Sequence, residues 1–229
     1  YGDKRVQMAF RVQPGERRLS CRFARFLGED ALELELTPAQ PPMDSMVIAT
    51  PFDAPRAFYY NQKINCMPAS GVMTLGSRRF EFAPETSFGT LDWGRGVWTY
   101  DNTWYWGNGN GIVNGKPFGF NIGYGFGNTS AASENLLLYG GVAHKLSRVQ
   151  FNIPEESFLK PWTFSSEDGR FVMDFVPVID RAARTNALII ESDQHQVFGR
   201  FTGRAVLDDG TALELKDFLG FAEKVRNRY

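Results

Sequence analysis

The sequence has few of the residues on which metal sites and disulfide frameworks depend. Its 229 residues include two cysteines, Cys21 and Cys66, and two histidines, His144 and His195. The usual zinc spacings of paired Cys and His residues are absent, so no metal site is predicted. Two cysteines make no disulfide framework in a chain of this length, and we expect both to be buried thiols.

An excess of charge and a long apolar run are also missing. The formal net charge is -1, which gives no basic surface to attract nucleic acid. No run of about eighteen apolar residues occurs, and the first ten residues lack the pattern of a signal peptide. We therefore expect a soluble, cytoplasmic chain with neither a nucleic-acid partner nor an integral membrane segment. Because it begins at Tyr1 without a methionine, a lost amino-terminal targeting segment stays open.

Short alternating segments separated by turn signals fill the chain. Apolar and polar residues alternate strictly over residues 31–36, as on a half-solvated antiparallel strand. Asn114-Gly115 and Asp208-Asp209-Gly210 are hairpin signals. Only residues 218–227 suit a short helix, which Gly220 disfavours. The pattern predicts an all-β fold with an antiparallel lipocalin-like barrel architecture, two barrel-like sheets and few helices. We expect an amino-terminal β segment over residues 1–91 and a lipocalin-like domain over residues 92–229.

An aromatic cluster over residues 92–107 holds four of the five tryptophans. At the strand period of two, one face carries Trp98, Tyr100, Asn102, Trp104 and Trp106. Trp and Tyr combine a large apolar surface with one polar group, so such a face suits either a barrel core or a pocket for an apolar ligand. The candidate ligand-binding residues are Trp93, Arg95, Trp98, Tyr100, Trp104, Trp106, Asn121, Tyr124 and His195.

The segment over residues 118–127 places aromatic residues on one strand face and glycines on the other. A row of glycines indicates that a neighbouring aromatic ring or a ligand comes close to that face, where Asn121 is the one side chain able to hydrogen-bond. Because the hairpin at Asn114-Gly115 joins this segment to the aromatic cluster, we expect Trp104, Trp106, Asn121 and Tyr124 to line one cavity. No helix pattern follows these glycines, so neither a phosphate loop nor any cofactor is predicted.

Two carboxylates are the candidate catalytic residues. Asp92 lies inside the Trp-rich segment, and Glu134 precedes the apolar run LLLYGG. A general acid in a dry aromatic pocket is able to protonate an alkene. The alternative for Glu134 is a solvated strand end, which is the commoner position for an acid.

Eight motifs, in order along the chain, closely resemble the domain of unknown function 2804 family from about residue 58 to residue 229. The motifs are YYNQK (59–63), SGVMTLG (70–76), LDWGRGVWTY (91–100), TWYWG (103–107), FGFNIGYGFG (118–127), SENLLLY (133–139), KPWTFSSEDGRF (160–171) and DQHQVFGRFTG (193–203). That family is similar in turn to a lipocalin-like group that includes carotenoid hydratases and tocopherol cyclases. This second similarity lies in Tyr59-Tyr60, Ser70-Gly71 and Asp92-Trp93.

The resemblance implies a calycin-type fold and a hydrophobic ligand of lipid or isoprenoid type. Two functions follow from the residues and the resemblance together. The first is a module that binds a small hydrophobic molecule in an aromatic-lined barrel pocket. The second is an acid-catalysed hydratase, cyclase or isomerase that acts on an isoprenoid or another apolar substrate.

Overall fold

The computed structural model describes all residues from 1 to 229, and every regular element in it is a β-strand. The strands form antiparallel ladders, which confirms the predicted all-β antiparallel fold. The chain contains no helix long and apolar enough to cross a membrane. The strands are β1 (Val6–Gln13), β2 (Glu16–Leu27), β3 (Asp30–Pro38), β4 (Met46–Pro51), β5 (Phe58–Leu75), β6 (Arg78–Phe82), β7 (Phe88–Val97), β8 (Asp101–Val113), β9 (Lys116–Tyr124), β10 (Leu136–Tyr139), β11 (Val142–Lys145), β12 (Val149–Asn152), β13 (Trp162–Ser166), β14 (Phe171–Ala187), β15 (Ile190–Val206) and β16 (Ala212–Arg228).

The chain folds into two compact units. The first contains Tyr1–Pro42 and Cys66–Thr90, and the second contains Met43–Asn65 and Leu91–Tyr229. Strands β5 and β7 each contribute residues to both units. The boundary expected between residues 91 and 92 stays a prediction.

In the first unit, β2 lies between β1 and β3, and β3 pairs with the second half of β5, whose other edge pairs with β6. The three leucines of β3 are half-buried, while Glu33 and Glu35 are exposed, as the strict alternation predicts. Neither cysteine forms a disulfide; Cys66 is buried, but Cys21 is only half-buried.

The second unit is built on a nine-stranded sheet in the order β11-β10-β9-β8-β16-β15-β14-β13-β12. The sheet curls so far that β9 and β12, separated by five strands in this order, are in contact. Its inner face is filled by a hydrophobic core that includes seven phenylalanines and Trp162. Each fully buried side chain of this size stabilises the fold by about 1.5–3 kcal/mol. The phenylalanines are Phe118, Phe120, Phe151, Phe164, Phe171, Phe175 and Phe201.

The outer face of this sheet carries the residues that alternate with the core. On β8, Trp104, Trp106 and Asn108 face outward, while Tyr105 packs against the inner core. Strands β4 and β5 bring a second surface close to the outer face, because Met46 of β4 packs against Leu138 of β10. Side chains therefore meet on both sides of the sheet, and only the inner side is filled by phenylalanine.

The carboxy-terminal tail is a strand and not the short helix considered from the sequence. Residues 218–227, considered as a short helix, lie within β16, which pairs with β15 on one edge and β8 on the other. Two ladders satisfy the backbone groups of this segment. Gly220 allows the chain to pass close to the ring of Phe201, whose nearest atom would lie 2.9 Å from a Cβ atom at this position.

The aromatic cluster over residues 92–107 is also not one continuous strand, as the period-two count assumed. Strand β7 ends at Val97 and β8 begins at Asp101, so residues 98–100 connect a strand paired with β5 to a strand paired with β16. Alternation does not continue across this connection, because the backbone leaves the extended conformation there. The hairpin at Asn114-Gly115 is confirmed, with φ values of 49° and 76° that suit Asn and Gly.

Candidate active site

A cavity of about 190 Å³ lies in the second unit, on the outer side of the nine-stranded sheet. Its walls combine five ionisable side chains with four aromatic rings that do not ionise. It is lined by Tyr59, Lys63, Asp92, Trp98, Trp104, Trp106, Phe126, Glu134 and Glu223.

Strands β8 and β16 supply one wall of this cavity. Trp104 and Trp106 are two residues apart on β8 and therefore project from the same face. Glu223 of β16 lies directly opposite Trp106, and directly opposite residues of an antiparallel pair share a face. The sheet register thus places a carboxyl group beside two indole rings.

Lys63 of β5 is the only lysine that lines the cavity. Its side chain is 6% exposed, and Nζ lies 3.0 Å from Oε2 of Glu134 and 3.7 Å from Oδ2 of Asp92. The same ammonium group lies 3.8 Å from the ring centroid of Trp106, within the range of a cation–π interaction. A buried charge is tolerated only with compensating partners, and Lys63 has two carboxylates and an aromatic face.

Asn61 joins β5 to β7 beside the cavity. Its Nδ2 lies 2.6 Å from the Tyr59 hydroxyl, 2.8 Å from Oδ1 of Asp92 and 3.2 Å from the Trp93 carbonyl oxygen. Burial raises the pKa of Tyr59 far above its usual range, and the negative charge of Asp92 adds to the rise. Tyr59 is therefore a neutral phenol whose hydroxyl is able to donate a hydrogen bond.

Glu223 has a different environment from the carboxylates next to Lys63. Burial raises its pKa, against the opposing effects of hydrogen bonds from Trp104 and Gln196 and of the Lys63 charge. Nε1 of Trp104 donates to Oε1 at 3.1 Å, and Nε2 of Gln196 donates to Oε2 at 3.0 Å. Among the acids of the cavity, Glu223 is the one that burial favours in the neutral form.

Glu134 is positioned by Asn121 and by a glycine. Nδ2 of Asn121 donates to Oε2 of Glu134 at 3.1 Å, while Oδ1 of Asn121 accepts from Nε1 of Trp106 at 2.7 Å. A Cβ atom on Gly123 would lie 2.7 Å from Oε1 of Glu134, so a larger residue would displace the carboxylate. Asn121 and Gly123 therefore fix Glu134 relative to the Trp106 indole.

Phe126 packs against the other rings around the cavity. Its centroid lies 4.9 Å from that of Tyr59, 5.7 Å from that of Trp98 and 5.1 Å from that of Trp104. Its contacts with Tyr59 and Trp104 are edge-to-face, which is a favourable arrangement for aromatic pairs. The rings form one connected apolar surface.

The structure brings several sequence candidates together. Asp92, Glu134, Trp98, Trp104 and Trp106 all line the cavity. Asn121 is fully buried and lies behind the wall, where it holds both Trp106 and Glu134.

Two candidates on β7 lie away from the cavity. Trp93 is 46% exposed and packs edge-on against Tyr60, and Arg95 is exposed. Both alternate with Asp92 along the strand, so they project from the opposite face.

Three further candidates do not line this cavity. Tyr124 is directly opposite Tyr105 and stacks on it at the edge of the inner core. Tyr100 is exposed in the connection after β7. His195 stacks on Phe158, with Nδ1 2.7 Å from Asp180.

Sequence reasoning did not select Tyr59, Lys63, Phe126 or Glu223. Tyr59, Asn61 and Lys63 occur at the strand period of two, but a row of polar residues ordinarily marks a solvated face. Here Asn61 and Lys63 are buried and Tyr59 is half-buried, because this strand face lies against the outer face of the nine-stranded sheet. The YYNQK motif contains Tyr59 and Lys63 and was the available signal, whereas Glu223 lay in the tail considered as a helix.

The cavity's three acids do not form a metal site. No group of three or more His, Cys, Asp or Glu side chains in the structure is arranged to hold a metal ion. The positive charge among these acids comes from Lys63.

Solved structures with similar folds were found at low sequence identity. A structure described as "Crystal structure of CghA" is 10% identical, with a TM-score of 0.39 and coverage of 97% of this chain and 73% of that chain. The crystal structure of kievitone hydratase from Nectria haematococca is 7% identical, with a TM-score of 0.38 and coverage of 98% and 87%. No curated protein was found to be significantly similar in sequence.

The family resemblance read from the eight motifs is confirmed by a family model, and the match extends to the amino end of the chain. The similarity to carotenoid hydratases and tocopherol cyclases stays a prediction. With residues 1–229 matched, the chain belongs to the family described as "Domain of unknown function (DUF2804)".

Proposed function

We propose that the cavity is an active site that transfers protons to and from a small, largely apolar substrate. The observation that carries this proposal is the convergence of five ionisable side chains and four further aromatic rings on about 190 Å³. A site that only sequesters an apolar molecule has no use for a buried lysine and three acids, each of which is costly to desolvate. Such clusters are typical of catalytic sites.

Glu223 is the proposed general acid. Burial raises its pKa, so a larger fraction of its carboxyl group keeps a proton near neutral pH. Hydrogen bonds from Trp104 and Gln196 fix both of its oxygens. A fixed carboxyl group with a raised pKa, at the wall of an aromatic cavity, has the properties needed to donate a proton to a bound substrate.

Asp92 and Glu134 are the candidate bases. Both lie near the Lys63 ammonium group, at 3.7 Å for Asp92 and 3.0 Å for Glu134. The cavity thus pairs an acid in a desolvating environment with carboxylates beside a cation. Two kinds of environment within one site separate donor from acceptor roles.

The aromatic rings suit an intermediate with positive charge. Trp98, Trp104, Trp106 and Phe126 surround the same volume, and aromatic faces attract cations. Proton transfer from Glu223 to one carbon of a C=C bond leaves a cation on the neighbouring carbon. Addition of water, addition of a substrate hydroxyl group or loss of a neighbouring proton then gives hydration, cyclisation or isomerisation.

The size of the cavity limits the substrate. Pockets for drug-sized ligands span about 300–1,000 Å³, and this cavity of about 190 Å³ is smaller. It accepts a small molecule or the reacting end of a longer lipid or isoprenoid chain. The connected ring surface around Phe126 also supports a second candidate function, in which a lipocalin-like carrier binds an apolar molecule without reaction.

An isotope experiment separates the two functions. A small-molecule extract is incubated with the protein in deuterium oxide and compared by mass spectrometry with the same extract incubated with Glu223→Gln. The enzyme function predicts carbon-bound deuterium, which does not wash out in ordinary water, in at least one compound with the parent protein and its loss with Glu223→Gln. Glu214→Gln, an exposed change on the same strand, should behave like the parent.

The carrier function predicts the opposite result. Deuterium in no compound, together with an unmodified apolar molecule that copurifies with the parent protein and is seen by native mass spectrometry, would support the carrier. Equal deuterium with Glu223→Gln and with the parent would remove Glu223 from its role as the acid.

A further inference from the structure

A second, much smaller cavity adjoins the first within the same unit. Its volume is about 20 Å³, and it shares Tyr59, Phe126 and Glu134 with the larger cavity. Its remaining lining residues are Ile48, Thr50, Asn61, Tyr124 and Thr129. A volume of this size holds one water molecule, since a single water needs at least about 10–15 Å³ of such space.

The lining contains a polar atom that requires a partner. Oδ1 of Asn61 is buried and has no hydrogen-bond partner among the protein atoms, in a residue that is 1% exposed. Buried amide oxygens are rarely left without a hydrogen bond, and ordered water is a common partner. Thr50, which is 4% exposed, and Glu134 line the same space, and each has a side-chain oxygen able to hydrogen-bond.

The orientation of the Asn61 amide is fixed by its surroundings. Its nitrogen faces Oδ1 of Asp92 and the carbonyl oxygen of Trp93, both of which accept hydrogen bonds. Reversing the amide would place its oxygen against these two acceptors, so the nitrogen belongs where it is. The unpartnered oxygen is therefore a property of the site.

We propose that the smaller cavity is a water-binding site and that its water is the nucleophile of a hydration reaction catalysed in the larger cavity. This inference rests on the proposed function. Glu134 lines both cavities, whereas Asp92 lines only the larger one. Glu134 is therefore the base that faces the water, and Nζ of Lys63 lies 3.0 Å from its Oε2.

The reaction balances with groups present in the two cavities. Glu223 gives a proton to one carbon of a C=C bond, and the water oxygen bonds to the adjacent cationic carbon. One water proton passes to Glu134, so the product is the substrate plus one water. Proton exchange with solvent then returns Glu223 to its acid form and Glu134 to its carboxylate form, and the reverse sequence is a dehydration.

The test uses water itself as the probe and Thr50→Val as the variant. This change keeps the shape of the side chain and removes its hydroxyl group. A high-resolution crystal structure of the parent should show one ordered water within hydrogen-bonding distance of Asn61 Oδ1. The small-molecule extract is then incubated in water enriched in both deuterium and oxygen-18.

The expected result is a product that carries both isotopes with the parent protein. Thr50→Val should lower incorporation of oxygen-18 about tenfold, the effect of one lost hydrogen bond in the transition state, while deuterium exchange into the substrate persists. Thr185→Val, the same change at an exposed position on β14, should leave both unchanged.

Three results would overturn the inference. The first is density for no water beside Asn61 in the crystal structure. The second is deuterium without oxygen-18 in the product, which keeps the proton-transfer function and removes water as the nucleophile. The third is neither isotope in any compound, which removes the proposed function and the inference together.

Discussion

At the scale of single residues, Lys63 holds the charge balance of the cavity. Replacing it by Met removes a charge whose side chain is 6% exposed and leaves Glu134 and Asp92 without their shared cation. Breaking a buried ion pair by removing one partner costs about 3–5 kcal/mol. We expect Lys63→Met to lower the free energy of unfolding by about that amount in urea denaturation.

A surface lysine provides the control for this prediction. Lys160 forms an exposed pair with Glu156 at 3.5 Å, so Lys160→Met should change the unfolding free energy by less than about 1 kcal/mol. Equal effects of the two substitutions on the free energy of unfolding would show that the Lys63 ammonium group is not buried beside its carboxylate partners.

Gly123 is expected to be sensitive to a single added methyl group. A Cβ atom there would lie 2.7 Å from Oε1 of Glu134 and 2.8 Å from the Tyr105 carbonyl oxygen. Gly123→Ala should therefore destabilise the protein by about 1–3 kcal/mol, as overpacking does. Gly89→Ala, whose nearest contact is 3.4 Å from Pro38, should have a smaller effect, and thermal denaturation compares the two.

The raised pKa of Glu223 predicts a dependence of stability on pH. The folded state binds the proton more tightly than the unfolded state, whose pKa is near the ordinary value of 4.5. Its contribution is therefore greatest below pH 4.5 and is lost as the pH rises through the folded-state pKa. Gln does not ionise, so Glu223→Gln removes this pH-dependent loss of stability.

Urea denaturation over a pH series checks the sign. The unfolding free energy of Glu223→Gln should increase relative to that of the parent as the pH rises above 4.5. A difference between the two proteins that is constant with pH would contradict the raised pKa.

At the scale of elements, the position of a strand in the sheet should determine its hydrogen exchange. Strands β8 and β16 are central in the nine-stranded sheet, whereas β11 and β12 are its edges. Backbone amides in central strands are bonded on both sides, so opening them requires more of the sheet to unfold. Hydrogen exchange should be slowest in β8 and β16; fastest exchange in β8 would contradict the strand order.

Much of the element pattern follows from the sequence. The alternation of residues 31–36 and the turns at Asn114-Gly115 identify strands and hairpins, because the strand period and positive φ are local properties. The aromatic cluster shows the limit of this reasoning. A connection at residues 98–100 interrupts the strand, and Tyr100 is exposed and does not line the cavity with Trp98, Trp104 and Trp106.

The cavity itself depends on long-range pairing. Glu223 meets Trp106 because β16 pairs with β8, which lies more than a hundred residues earlier in the chain. No local pattern specifies this partner. The burial of Lys63 likewise depends on which surface covers β5, and strand alternation gives the shared face without saying whether that face is solvated.

At the scale of the whole molecule, the candidate site does not lie on the inner face of the nine-stranded sheet. Phenylalanines and Trp162 fill it, while the cavity lies on the outer face. A lipocalin-like barrel with an apolar ligand in its centre predicts the reverse. Side chains alternate between the two faces of a strand, so one sheet carries an apolar core on its inner face and the polar and aromatic residues of the candidate site on its outer face.

The most direct test of the central claim is a carbon-13 NMR titration of the glutamate carboxyl groups, with Glu223 assigned by its absence in Glu223→Gln. The account predicts that the Glu223 signal titrates at a distinctly higher pH than the signal of exposed Glu214, because burial disfavours the ionised carboxylate and so raises the pKa of Glu223. If Glu223 instead titrates together with Glu214, it is ionised at neutral pH and the cavity has no acid to donate a proton.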